Sequence, residues 1–166
     1  MKVMYYDEGY INKEKYFIVC DKENLIFVGN SEQNFKKFLE KNKIIDLQRN
    51  YKEVEKYFCQ LNEYFQKDRK KFVFTVKYYG TDFQKRVWHE LSLLKYGETI
   101  SYKDMAKRLG NEKSSRAVAS AIAKNPLLIF VPCHRVIGKN GSLCGYSGGI
   151  DLKAKLLNLE KFGKNN

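Results

Sequence analysis

The chain is short of the residues that build metal centres and of the acids that would balance its bases. Its 166 residues include two histidines, two prolines, one tryptophan and four cysteines, and only 19 Asp and Glu against 31 Lys and Arg. Cys20, Cys59, Cys133 and Cys144 show no paired spacing, and His89 and His134 are the only imidazoles. That is poor material for a zinc site, and no motif for an organic cofactor is present, so neither is expected. No apolar run approaches the ~20 residues that a membrane span requires. Met1-Lys2-Val3-Met4-Tyr5 opens directly into strand-like sequence rather than a targeting segment, so a cytoplasmic location is expected, where disulfides are disfavoured.

What is present suits a folded protein. An apolar content of 43% with 14% aromatics is enough for one domain or two small ones. The net charge is +12, and residues 81–166 carry 15 Lys and Arg against 7 Asp and Glu, so the second half is the more basic. Such a bias favours a polyanionic partner, nucleic acid first, although a solvated lysine-rich surface has the same composition.

Residues 2–6, 15–20 and 24–28 are short apolar runs separated by Asp-Glu-Gly and Asp-Lys-Glu-Asn, the pattern of an antiparallel meander. Ser31 can cap a helix over 32–43, and Val54, Tyr57, Phe58, Leu61, Tyr64 and Phe65 recur at spacings of three and four, which predicts an amphipathic helix over 51–66. Residues 72–77 read as another strand, and Tyr79-Gly80 as a domain boundary. Thr81 to Gln84 has capping-box spacing before Phe83, Val87, Trp88 and Leu91. Ser101 starts a helix that Gly110 stops, and Ser114 or Ser115 starts another that Asn125-Pro126 ends, giving a helix-turn-helix. In that second helix Val118, Ala121 and Ile122 form the buried face. Arg116, Ala119, Ser120, Ala123 and Lys124 point outward, nearly all of them small. Small side chains let a helix approach a surface closely, and alanines are also simply good helix formers.

The run Leu127-Leu128-Ile129-Phe130-Val131 breaks at Pro132 and delivers Cys133 beside His134 and Arg135. Free cysteine titrates near ~8.5 and only its thiolate is reactive, so a thiol with an adjacent base is a candidate nucleophile. The same residues also fit a buried thiol next to a surface His-Arg pair.

Taken together, Asn125-Pro126, Val131-Pro132-Cys133-His134-Arg135-Val136-Ile137, Gly145-Tyr146-Ser147-Gly148-Gly149 and Leu156-Leu157-Asn158-Leu159-Glu160 resemble the O6-alkylguanine-DNA alkyltransferase family. The likeness begins near Thr81-Asp82-Phe83-Gln84 and covers the second half, whereas the first half matches in layout only. It implies an α+β fold. Residues 1–80 would form an N-terminal α/β scaffold domain with a small antiparallel sheet in a ribonuclease-H-like layout. Residues 81–166 would form a mostly helical, helix-turn-helix or winged-helix-like domain for DNA binding and alkyl transfer. The implied activity is irreversible, single-turnover transfer of the alkyl group of O6-alkylguanine, with O4-alkylthymine as a further candidate, after minor-groove binding and base flipping.

By the same resemblance Cys133 is the acceptor, His134 withdraws its proton, Glu160 orients the imidazole and Asn125 orients the cysteine. Tyr102, Val136, Tyr146 and Ser147 form the substrate pocket. Arg116 fills the vacated stack, and Ala117, Ala119, Ser120, Ala123 and Arg135 contact DNA. The implied partner is double-stranded DNA containing the lesion, bound by a monomer without cofactor or metal. Cys144 departs from the family, which has glycine or another small residue there; its thiol either narrows the pocket or fills space. Two other readings compete: a non-catalytic helix-turn-helix module that binds alkylated DNA or senses redox state through Cys133, and a cysteine hydrolase using Cys133, His134 and Glu160.

Overall fold

A computed structural model describes residues 2–163. Its chain separates into two compact units, Met1–Tyr79 and Gly80–Asn166. In the first, strands β1 (Met4–Ile11), β2 (Glu14–Cys20), β3 (Leu25–Gly29) and β4 (Leu47–Arg49) form one sheet in the order β3-β2-β1-β4. The meander is antiparallel, but β4 runs parallel to β1, so the sheet is mixed rather than purely antiparallel. Helix α1 (Glu32–Lys41), capped by Ser31, carries the chain from the β3 edge to the opposite edge and thereby sets that direction.

The first turn also lies later than its Asp-Glu-Gly signal suggests. β1 continues through Asp7, Glu8 and Gly9, and the chain reverses at Asn12 and Lys13, both with positive φ (49° and 68°), as a two-residue hairpin turn requires. Every residue from Tyr16 to Cys20 is buried because both faces of β2 are covered. Phe17 stacks on Phe35 of α1 at 4.9 Å, while Cys20 Sγ reaches the Glu53 carbonyl of helix α2 (Tyr51–Phe65). A strand covered on both faces shows a continuous apolar run instead of alternation.

The expected strand at 72–77 is reduced to a single bridge between Leu25 and Val76. The cause is a side chain of α2: the Gln60 amide accepts from the Val73 N–H (2.7 Å) and donates to the Val73 carbonyl (2.9 Å), using the groups a ladder would need.

The second unit opens with α3 (Asp82–Ser92). Thr81 and Gln84 form the full reciprocal capping box, and Val87, Trp88 and Leu91 are buried. A two-residue strand β5 (Ile100–Ser101) leads into α4 (Tyr102–Arg108), capped by Ser101. Gly110, with φ of 73°, makes the turn, a conformation that a side chain would strain. A short 3-10 segment then precedes α5 (Ser115–Ala123), whose Val118, Ala121 and Ile122 are buried. The Trp88 indole donates to the Ala121 carbonyl at 2.8 Å, joining α3 to α5. After a buried turn, residues 133–135 form a 3-10 turn that leads into β6 (Val136–Ile137), paired with β5, and α6 (Ile150–Gly163) follows. Among the described residues no helix is long and apolar enough to cross a membrane.

Candidate active site

Residues 125–133 form a compact knot around Asn125. The Asn125 amide donates to the Val131 carbonyl (2.9 Å), the Leu127 carbonyl (3.4 Å) and the Cys133 sulfur (3.1 Å), and its oxygen accepts from the Leu127 N–H (3.0 Å). Within the knot, Ile129 has φ of 72°, and Phe130 N–H donates to the Leu128 carbonyl across it, a strained γ-turn for a β-branched residue. Such strain costs on the order of 1–3 kcal/mol and persists only where its surroundings over-determine it. Pro132 (φ −81°, ψ 62°) centres a second, relaxed γ-turn, closed by Cys133 N–H on the Val131 carbonyl. The proline therefore does more than end an apolar run: it aims Cys133 back at Asn125.

Beside the thiol lies a buried charge cluster. His134 Nε2 is 2.7 Å from a Glu160 oxygen, and Arg135 donates to Glu160 from Nε and Nη2 (2.8 to 3.2 Å) and to the Leu94 carbonyl from Nη1 (2.6 Å). Those donors hold the Glu160 carboxyl down at about 2 despite its burial. Since an ionised carboxylate only accepts, His134 Nε2 must donate, which leaves the lone pair on Nδ1. Nδ1 is buried and has no partner among the described residues. Burial, with Glu160 opposing it, lowers the His134 pKa, so the imidazole is neutral at pH 7.

Burial also pushes the Cys133 thiol up to about 11, against the Asn125 amide and the charge of Lys153, which lower it. At pH 7 the resting thiol is neutral, and ionising it costs about 5 kcal/mol at 1.36 kcal/mol per pH unit. The resting site therefore holds a neutral thiol near a neutral base rather than a thiolate–imidazolium pair.

A pocket of about 500 Å³ is lined by Tyr102, Ala119, Ala123, Cys144, Gly145, Tyr146 and Ser147. It thus joins expected pocket residues to the outward face of α5. Burial raises the Tyr102 hydroxyl to about 12, so it remains a proton donor at neutral pH. Arg116, Ala117, Ser120 and Ala123 are exposed and Ala119 is half-buried. Cys133 and Val136 are buried and do not line the pocket, and Cys144 Sγ turns toward Ser142 Oγ (3.8 Å).

One expectation is corrected. Arg135 does not face DNA: it is buried, with its guanidinium engaged by Glu160 and Leu94. Its partner lies 25 positions away, which adjacency to Cys133 and His134 could not reveal. Sequence reasoning also missed Lys153, fully buried on α6. The available signal was its spacing of three and seven from Leu156 and Glu160, which puts it on the same inward face.

Fold and site together define a helix-turn-helix protein that carries a buried thiol held by Asn125, a buried His134–Glu160 pair next to it in the chain, and a pocket lined in part by its small-residue helix. Residues 82–162 match the family model described as the DNA-binding domain of 6-O-methylguanine DNA methyltransferase. The inducible methylated-DNA–protein-cysteine methyltransferase of Bacillus subtilis is 50% identical over 108 residues, covering 65% of this chain and 60% of that protein. The methylated-DNA–protein-cysteine methyltransferase of Methanosarcina acetivorans is 43% identical over 144 residues, covering 84% of this chain and 87% of its own length. The crystal structure of the Mycobacterium tuberculosis O6-methylguanine methyltransferase superposes with a TM-score of 0.85 at 34% identity, over 96% of this chain and 94% of that one. The same protein in complex with DNA gives 0.82 at 34% identity, over 96% and 93%. The chain belongs to the methylated-DNA–protein-cysteine methyltransferase family.

Proposed function

We propose that this protein repairs DNA by moving the alkyl group of O6-alkylguanine in a duplex onto its own Cys133, once per molecule. The Cys133 sulfur attacks the alkyl carbon, the carbon–O6 bond breaks, and its electron pair leaves with the purine. The thiol proton passes toward His134 Nδ1, the one lone pair of the cluster without a partner among the described residues. Tyr102 gives a proton to the departing base and recovers one from solvent, so the products are a thioether and guanine. Ser147 and the Tyr146 loop donate to the guanine oxygen.

Because the thiol is buried, the base must leave the stack to reach it, at a cost of a few kcal/mol. Arg116, exposed near the start of α5, fills the gap with a plane that stacks on bases. Ala117, Ala119, Ser120 and Ala123 let the helix close on the minor groove. O4-alkylthymine fits the same chemistry, and a cytoplasmic monomer suffices for it. The observation that carries this reading is the Asn125 knot that holds a buried, neutral thiol next to a neutral histidine.

Mass spectrometry after incubation with a duplex containing O6-methylguanine is the test. A gain of one methyl per chain, mapped to Cys133 and lost in Cys133→Ala, is expected. Binding without mass gain would replace the proposal with a non-catalytic module, turnover would replace it with a hydrolase, and an adduct on Cys144 would reassign the acceptor.

A further inference from the structure

His134 and Glu160 meet at 2.7 Å and both are buried, a contact at which an imidazole ordinarily takes a proton and pairs with its carboxylate as an imidazolium. Here the carboxylate is already matched. Buried Arg135 donates to Glu160 Oε1 from Nε (3.2 Å) and Nη2 (2.8 Å) and to Oε2 from Nε (3.0 Å), so the oxygen that faces His134 is shared with a guanidinium. That guanidinium is also held from elsewhere. Its Nη1 donates to the Leu94 carbonyl (2.6 Å), its Cζ lies 5.9 Å from the centre of the Tyr96 ring, and the Gly97 N–H gives Glu160 Oε2 one more donor (3.3 Å). Residues 94–97, which follow α3, thus fix Arg135 and Glu160 together without help from His134.

The balance of charge decides what this does to the imidazole. With Arg135 in place, a neutral His134 leaves the three side chains without net charge, whereas an imidazolium would add an unmatched positive charge to a buried site that already holds the Lys153 ammonium. Without Arg135 the order reverses. A neutral His134 would then leave the buried Glu160 charge unmatched and an imidazolium would match it, and an unmatched buried charge costs more than an imidazole near its ordinary pKa gains by staying neutral at pH 7.

We propose that Arg135 is a positioning residue that keeps His134 an unprotonated acceptor, by serving as the counter-ion that Glu160 would otherwise find in an imidazolium. The inference rests on the alkyl-transfer reading for its consequence, since a protonated His134 could not take the Cys133 proton. The direction of the His134 shift agrees, with Arg135 and Lys153 adding to the downward pull of burial and Glu160 opposing it. The titratable and charged groups that face His134 are Cys133 and Arg135 in the turn, Glu160 and Lys153 on α6, and Tyr146 in the loop, its ring centre 6.5 Å away.

The chain has two histidines, so in a His89→Gln background the one imidazole that remains is His134, and NMR reads its titration between pH 5 and pH 9. Arg135→Gln removes the charge and keeps an amide that can donate, and Arg135→Lys keeps the charge. The expected result is a His134 that is neutral at pH 7 in the wild type and in Arg135→Lys, and that titrates at about pH 8 in Arg135→Gln. Methyl transfer to Cys133 at pH 7, followed by mass spectrometry, should then be about tenfold slower in Arg135→Gln and recover above pH 8, because about a tenth of an imidazole is unprotonated one unit below its pKa. An Arg135→Gln protein whose His134 titrates as in the wild type would overturn the inference, as would Arg135→Lys behaving like Arg135→Gln or a wild-type His134 charged at pH 7. So would a slower Arg135→Gln that does not recover with pH, which would mean that the arginine only props Glu160, or an Arg135→Gln chain that does not fold although an imidazolium could replace the lost charge. Absence of any Cys133 adduct in the wild type would instead remove the alkyl-transfer reading and leave the titration result standing.

Discussion

Replacing Asn125 with alanine tests the site at the point where fold and chemistry share atoms. The substitution leaves the Leu127 N–H buried without a partner, at about 1–3 kcal/mol, and removes donors to two carbonyls at about 1 kcal/mol each. Both carbonyls keep another donor, Val131 N–H for Leu127 and Cys133 N–H for Val131, so neither becomes an orphan. The sum is about 3–5 kcal/mol from the cost of an orphaned donor and two lost hydrogen bonds, and the strained turn at Ile129 gives the loop a reason to relax once it is released.

Trp88 is the single tryptophan, lies in the same unit and is bonded to Ala121, so its fluorescence reports this unit's unfolding in urea. With an m-value of roughly 1 kcal/mol/M for a unit this small, the midpoint should fall by about 3–5 M. Loss of the amide donor to sulfur should also raise the thiol pKa, so methyl transfer at pH 7 should slow by at least about tenfold. An Asn125→Ala protein within about 1 kcal/mol of the wild type would refute the view that this side chain organises the turn. An unchanged transfer rate would refute its role at the sulfur.

Three further outcomes follow from the same geometry. Arg116→Ala should slow repair in duplex DNA strongly while leaving reaction with free O6-methylguanine nearly unchanged; equal losses on both substrates would place Arg116 in the pocket or the fold instead. His134 is held neutral, so its contribution to stability is complete above its unfolded pKa of ~6.5 and is lost as pH falls below that, while the contribution of Glu160 is lost only toward about pH 2. Urea midpoints read by Trp88 should therefore decline already between pH 7 and pH 5, and a flat midpoint there would contradict a buried neutral imidazole. Affinity of the Cys133→Ala protein for duplex should fall with salt at a log–log slope of roughly −0.9 per phosphate contacted. It should show little preference for flanking sequence and only a modest one for the lesion, and a preference of several orders of magnitude measured by titration would mean that α5 reads more than backbone and flipped base.

Local signals carried far in this chain. The Thr81–Gln84 capping box, the Ser31 and Ser101 caps, the apolar stripe of Val54, Tyr57, Phe58, Leu61 and Tyr64, and the buried face of α5 all stand where their spacing puts them. Each rests on contacts within a few residues, which sequence alone determines. Cys133 next to His134, and Glu160 through the resemblance, were legible for the same reason or because a motif preserved them. Only tertiary structure decided the rest. Gln60 took the backbone of Val73 and reduced a strand to one bridge, and β4 joined β1 in parallel because α1 crossed to the far edge. Arg135 turned from DNA to Glu160, and Lys153 turned from solvent to two carbonyls. At Gln60, Arg135 and Lys153 a polar group chose a partner outside its own helix or turn, because a buried donor or charge left unpaired costs more than any local preference supplies.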